Sequence, residues 1–243
     1  MRNILESLRT AVAFLTRIPV GNDGDGSRLP AATAWFSLVG LAVGGLAALP
    51  FLWLPDRYAA LLSIVLTVLI TGALHEDGFA DACDGVFGGH DPESRRAIMR
   101  DSRIGAYGAI GLWLLLTTRW LLLLDHSGFP WAIAVAAGFS RTAAVMLLAN
   151  QRPEADPGAK SSTSFSGVGW PHALVCLIIA VGGAVVVFRA ATPVFLCFGV
   201  TVAGSGLLGL FLRRQLGRLT GDALGAVIAV VEIACLVGLS ATF

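Results

Sequence analysis

The stretch Ala59-Ala60-Leu61-Leu62-Ser63-Ile64-Val65-Leu66-Thr67-Val68-Leu69-Ile70-Thr71-Gly72-Ala73-Leu74 runs directly into His75-Glu76-Asp77-Gly78-Phe79-Ala80-Asp81-Ala82-Cys83-Asp84-Gly85. Its first half reads as a membrane helix. It is short for one, because a crossing takes about 20 residues. The helix is therefore expected to continue toward Asp77 and to set the first carboxylate at the membrane interface. On a continuing helix, Asp77, Asp81 and Asp84 fall within an arc of roughly 60°, and Glu76 lies about 100° away from that face. Three carboxylates on one face repel each other unless a cation or protons sit among them. Oxygen-only donors suit a hard cation such as Mg²⁺ rather than zinc. A solvated acidic loop is the plainer alternative, but the neighbouring residues are apolar or Gly and supply no solvated face.

The rest of the chain supports a membrane reading. Its 243 residues are 56% hydrophobic and 14% charged, with mean hydropathy +0.76. Soluble domains carry about 25% charged residues. So few charges do not cover a globular surface in water, and an all-α, polytopic integral membrane protein follows. A net charge of +1 speaks against a nucleic-acid partner. Cys83, Cys176, Cys197 and Cys235 are widely spaced and form no CxxC pair, which suggests neither a zinc knuckle nor a disulfide framework. Near the N-terminus, Ile4, Leu5, Leu8, Ala11, Val12 and Leu15 recur at helical spacing, interrupted by Arg9 and followed by Arg17. Residues 3–17 read as an amphipathic helix at the membrane surface, not as a cleaved signal peptide.

Seven spans are expected: 33–54, 59–74 with its continuation, 104–124, 130–149, 171–188, 193–212 and 222–239. Gly40 and Gly44 have the small-xxx-small spacing that lets a second helix approach closely. Polar segments at one side of the membrane, 1–32, 75–103, 150–170 and 213–221, hold 13 Lys and Arg residues; the opposite loops hold only Arg57 and Arg189. That asymmetry places the N-terminus and the acidic stretch in the cytoplasm. The whole chain, 1–243, reads as a single membrane-embedded catalytic domain.

The reactive side chains gather at that face. Asp91-Pro92-Glu93 looks like a helix start. Arg96, Arg100 and Arg103 would share one face of a continuous helix. Metal-binding carboxylates beside guanidinium groups fit a diphosphate, since Arg gives bidentate contacts to phosphate oxygens; anchoring near lipid headgroups is the competing role for Arg95 and Arg96. Asp222 opens the last span as a phosphate-site candidate, although Thr220 serves equally well as its N-cap. Glu232 lies deep in that span, where a carboxylate is a functional candidate unless a partner such as Arg141 neutralises it. His75 stands as a base, as a group orienting a carboxylate, or as a satisfied interfacial residue. Lys160 with Ser161, Ser162, Thr163 and Ser164 suggests phosphate contact or a flexible loop.

Several pieces together resemble a known family. Phe14-Leu15-Thr16-Arg17-Ile18-Pro19-Val20, Trp35-Phe36-Ser37-Leu38-Val39-Gly40, the acidic stretch 75–85, Met99-Arg100-Asp101-Ser102-Arg103-Ile104-Gly105-Ala106-Tyr107-Gly108, Ser140-Arg141 and Thr220-Gly221-Asp222-Ala223-Leu224-Gly225-Ala226 are similar to the motifs of the cobalamin synthases, the adenosylcobinamide-GDP ribazoletransferases. The resemblance covers nearly the whole chain. It implies a Mg²⁺-dependent enzyme of the cell membrane that joins adenosylcobinamide-GDP to α-ribazole, or its 5′-phosphate, and releases GMP. Under it, Asp77, Asp81 and Asp84 are the expected metal ligands, one of them or His75 the base, and Arg96, Arg100, Arg103 and Asp222 the phosphate-site residues. Family members often carry an apolar residue where Glu76 stands, which argues against an essential ligand there. Two other readings compete. A CDP-alcohol phosphatidyltransferase-like enzyme also uses a multi-Asp membrane motif, but its Ala-Arg after Asp-Gly-x-x is missing. A cation transporter would place its acids near the midplane, where only Glu232 lies.

Overall fold

The computed structural model describes residues 2–21, 27–151 and 165–242. Lys160 and Ser161 to Ser164 lie outside them, as does most of segment 150–170. All regular secondary structure among the described residues is helical. In chain order the helices are α1 (Arg2–Leu15), α2 (Leu29–Thr33), α3 (Phe36–Ala48, extended by a 3₁₀ turn Leu49–Leu52), α4 (Asp56–Thr71), α5 (Leu74–Gly88), α6 (Pro92–Met99), α7 (Ala106–Asp125), α8 (Ala132–Asn150), α9 (Trp170–Phe188), α10 (Ala191–Leu216) and α11 (Gly221–Ser240).

Five of these, α7 to α11, are long and apolar enough to cross a membrane; α4 with α5 makes a sixth if the bent pair is one span, and Phe36–Leu52 is a shorter apolar stretch. These account for the seven apolar segments legible in the sequence. The protein is a helical membrane protein with α8 at its centre, packed by α3, α9, α10 and α11. Nearly every side chain of α8 is buried. By contrast α9 and α10 present Ile178, Val186, Phe195 and Leu207 outward, as helices do when lipid is their solvent. The α3–α8 contact explains Gly40 and Gly44. A Cβ on Gly40 would stand 2.5 Å from the carbonyl oxygen of Ala137, and one on Gly44 would stand 2.6 Å from Cα of Ala134.

Three expectations are corrected. The helix begun at Asp56 does not continue into the acidic stretch. Gly72 and Ala73 both adopt left-handed backbone, with φ of 67° and 59°, and the axes of α4 and α5 diverge by 89°. Gly tolerates that region freely, whereas Ala there costs about 1–2 kcal/mol. Segment 75–103 holds α5 and α6, joined by short connections. The α6 helix ends at Met99, so Arg96, Arg100 and Arg103 do not share a helical face: Arg100 is the C-cap and Arg103 lies beyond it. The last turn of α10 includes Arg213 and Arg214, residues beyond the expected end of the sixth span at 212. The start of α6 is as expected. Asp91 Oδ1 accepts the N–H groups of Glu93 and Ser94 at 2.9 and 3.0 Å, while Ser94 Oγ accepts the Asp91 N–H, a complete capping box.

Candidate active site

The site forms where α5 meets α11. Their contact is close because both helices present glycine. A Cβ on Gly78 would stand 2.8 Å from the Asp222 carbonyl oxygen, and one on Gly225 would stand 3.3 Å from Cα of Gly78. That approach carries Asp222, from the start of the last helix, to the acidic face of α5. Electrostatic interactions link Asp81 to Asp222, Asp77 and Asp84, and link Asp222 to Asp77. The N-cap question is settled in favour of Thr220, whose Oγ1 accepts the Ala223 N–H at 3.2 Å. The Asp222 carboxylate is therefore not spent on capping.

Asp84 takes a different position from Asp77 and Asp81. It is 7% exposed, and its two oxygens accept the N–H groups of Gly105 (2.7 Å) and Gly108 (2.8 Å). A carboxylate at the N-terminus of α7 meets both the free donors and the positive end of the helix dipole. This explains the two glycines of Gly105-Ala106-Tyr107-Gly108, since a Cβ at either position would collide with the Asp84 carboxylate.

Glu76 and Glu232 belong to a separate arrangement. Arg119 Nη1 donates to Glu76 Oε1 at 2.8 Å. Arg119 also pairs with Glu232, and Glu232 pairs with Arg141. Two acids and two guanidiniums from α5, α7, α8 and α11 thus alternate in a fully buried chain. Glu232, the deep carboxylate that favoured transport, is neutralised by two arginines. Arg141 was legible as its partner; Arg119 was not, because helical spacing says nothing about which helix lies opposite.

The arginines after α5 are dispersed. Arg95 Nη1 donates to the Gln215 carbonyl at 3.0 Å, and Arg96 Nη1 donates to the Leu216 carbonyl. Both satisfy acceptors at the end of α10. Arg100 Nε donates to the carbonyl of Arg96 at 3.1 Å. Arg103 is exposed and pairs with Asp101 through Nε at 3.0 Å and Nη2 at 2.6 Å; this contact holds the Asp101 carboxyl down at about 2. The Ser94 N–H likewise holds Asp91 below its ordinary value. Arg103 and Asp101 border an open groove of about 480 Å³ that reaches Asp84 and Gly105.

His75 lies on the wall of a second cavity, of about 190 Å³, shared with Asp77 and Asp222. Its remaining walls are apolar, with Phe14, Phe36 and Phe165 among them.

Among the described residues, no three His, Cys, Asp or Glu side chains stand in ready-made metal-binding geometry. The donor set itself suits a hard cation. Asp77, Asp81 and Asp222 supply oxygen only, and none is in an ion pair among the described residues.

A family model described as cobalamin-5-phosphate synthase matches residues 7–240. Among curated proteins the chain is similar to adenosylcobinamide-GDP ribazoletransferases. That of Shewanella frigidimarina (strain NCIMB 400) is 38% identical, and that of Shewanella baltica (strain OS155) 35% identical; each match covers 93% of this chain and 90% of the relative. That of Shewanella sp. (strain ANA-3) is 36% identical over the same shares. No solved structure matches the chain.

Proposed function

The chain belongs to the cobalamin-5-phosphate synthase family, and from that premise we propose that it transfers the cobinamide-phosphate group of adenosylcobinamide-GDP to the 5′-hydroxyl of α-ribazole or its 5′-phosphate. The products are adenosylcobalamin, or its 5′-phosphate, and GMP. The observation that supports the mechanism is the close Gly78–Asp222 and Gly78–Gly225 approach, which brings the start of α11 beside the helix that carries Asp77 and Asp81.

Asp77, Asp81 and Asp222 would hold Mg²⁺, which when bound neutralises diphosphate oxygens and favours departure of the nucleotide. Asp77 and Asp222 border the cavity, so either carboxylate is placed to take the proton from the attacking hydroxyl. The hydroxyl oxygen forms a bond to the phosphorus on the cobinamide side, the bond from that phosphorus to the bridging oxygen breaks, and GMP leaves with the electron pair. Arg103, at the open groove, and Arg100 hold phosphate charge. Asp84 acts through position, fixing the C-terminal half of α5 against α7. The 13-to-2 distribution of basic residues supports a site open to the cytoplasm, in the cell (inner) membrane.

The test is direct. Purified protein in nanodiscs, given adenosylcobinamide-GDP, α-ribazole and Mg²⁺, should release GMP and form the joined product in equal amounts. Folded protein that yields neither rejects the reading.

A further inference from the structure

We propose that the apolar groove between α7 and α10 holds an acyl chain of one anionic phospholipid, with the lipid phosphate on Arg214. The site is separate from the reacting carboxylates, and its occupancy does not depend on the reaction proposed above.

The floor of the groove is written into α5. Phe79, Cys83 and Phe87 recur at i, i+4 and i+8 and share one helical face. The other faces of α5 are taken. Glu76 enters the buried ion chain, Gly78 lies against α11, and Asp84 accepts the N–H groups at the start of α7. The face from Phe79 to Phe87 meets two recesses instead. One, of about 500 Å³, follows α7 past Ile110 and Leu114. The other, of about 120 Å³, follows α10 past Leu208 and Phe211. Both are lined by Phe79, Cys83, Phe87 and Val230, so they join over that face into one groove.

Chemistry selects the occupant. The lining side chains are hydrocarbon apart from the Cys83 thiol and the Tyr107 and Thr118 hydroxyls. So few polar groups do not answer the hydrogen-bonding groups of a nucleotide. The floor is also recessed, with Phe79 and Cys83 half-buried between the flanking helices; a flexible chain reaches it where the broad side of a second protein does not. Lipid tails match such a lining, being as apolar as Leu.

Charge supplies the other half of the ligand. Arg214 follows Leu207 and Phe211 at i+7 and i+3, on the same face of α10. It is exposed and in no ion pair among the described residues. It belongs to the basic segments whose distribution supports the cytoplasmic side, where anionic headgroups lie. Its stem can lie along the groove wall while the guanidinium takes a phosphate. On the α7 rim, Arg103 is answered by Asp101. A lipid seated in the groove completes the packing of the helix that carries Asp77 and Asp81. It is then a bound ligand, retained when bulk lipid is exchanged.

Native mass spectrometry of delipidated protein in detergent tests this. Dioleoylphosphatidylglycerol should bind at one per chain, about 5-fold tighter than dioleoylphosphatidylcholine. Arg214→Gln should remove that preference and leave phosphatidylcholine binding unchanged. Ile110→Trp and Leu114→Trp, which fill the groove from α7, should each weaken binding of both lipids by about 10-fold. Val186→Trp, on the outward face of α9, should change neither. Monodisperse elution and retained helical signal establish that each variant is folded. Equal affinity for the two lipids in the wild type overturns the proposal. So does undiminished phosphatidylglycerol binding in a folded groove-filling variant. A wild-type dimer that Ile110→Trp separates into single chains also overturns it, and assigns the groove to a second copy.

Discussion

Two groups of acidic residues share the α5–α11 interface, and they differ in one respect. Glu76 and Glu232 meet guanidiniums and form a closed chain with Arg119 and Arg141. Asp77, Asp81 and Asp222 face only each other's negative charge among the described residues. Glu76 and Asp77 are adjacent in sequence, yet the turn of the helix sends one into the bundle and the other to its face. Buried charges in proteins are paired; a cluster of like charge with no internal partner is the arrangement an external cation completes. The first group maintains the bundle, and the second is available for chemistry.

Substitutions separate the two groups. The largest effects are expected at the acids that have no ion-pair partner among the described residues. Asp77→Asn, Asp81→Asn and Asp222→Asn should each lower kcat by about 10²–10³-fold, measured as GMP release, with thermal unfolding in detergent little changed. Two fully active variants would remove these residues from the site. Glu232→Ala should do the reverse, lowering stability by about 3–5 kcal/mol by leaving two buried guanidiniums short of a partner; denaturant unfolding reads this directly. Glu76→Ala should cost less, since Arg119 keeps Glu232. Gly78→Ala tests the α5–α11 contact that the two groups share. Its Cβ would press on the Asp222 backbone, costing about 1–3 kcal/mol and reducing activity more than a surface substitution of similar cost. The smallest effect concerns pH. Asp101 is held down at about 2 by Arg103, so its ion pair is present above the ordinary carboxylate value near 3.8 and is lost only as pH falls through about 2. A carboxyl NMR titration should show that midpoint move up toward the ordinary value in Arg103→Gln.

The apolar helices, the α6 capping box and the Gly40–Gly44 approach were legible because each rests on local spacing. The Arg141–Glu232 pair was legible because an unpaired charge in lipid demands a partner. The break at Gly72–Ala73 was not, since the apolar pattern runs straight through it and Ala gives no sign of left-handed backbone. Asp84 shares an arc with Asp77 and Asp81, and only the path of the chain after Met99 reveals that α7 begins against it. The bond from Arg96 to the Leu216 carbonyl at the end of α10 was likewise out of reach of the sequence. These misses share one cause: a side chain's chemistry was visible in the sequence, but the element that claims it was distant.

The joining of α5 to α11 also bears on how the protein is made. Asp222 and Glu232 lie in α11, which follows α5, α7 and α8 in the chain and so leaves the ribosome after them. Until then, α7 and α8 enter the bilayer carrying Arg119 and Arg141 with only Glu76 to answer them, and a central arginine costs about 2.5–3.5 kcal/mol on insertion. Arrival of α11 neutralises that nascent bundle and, in the same movement, completes the group of acids on which the proposed reaction depends. A chain stopped short of α11 therefore has neither, and the proposed activity waits on that helix.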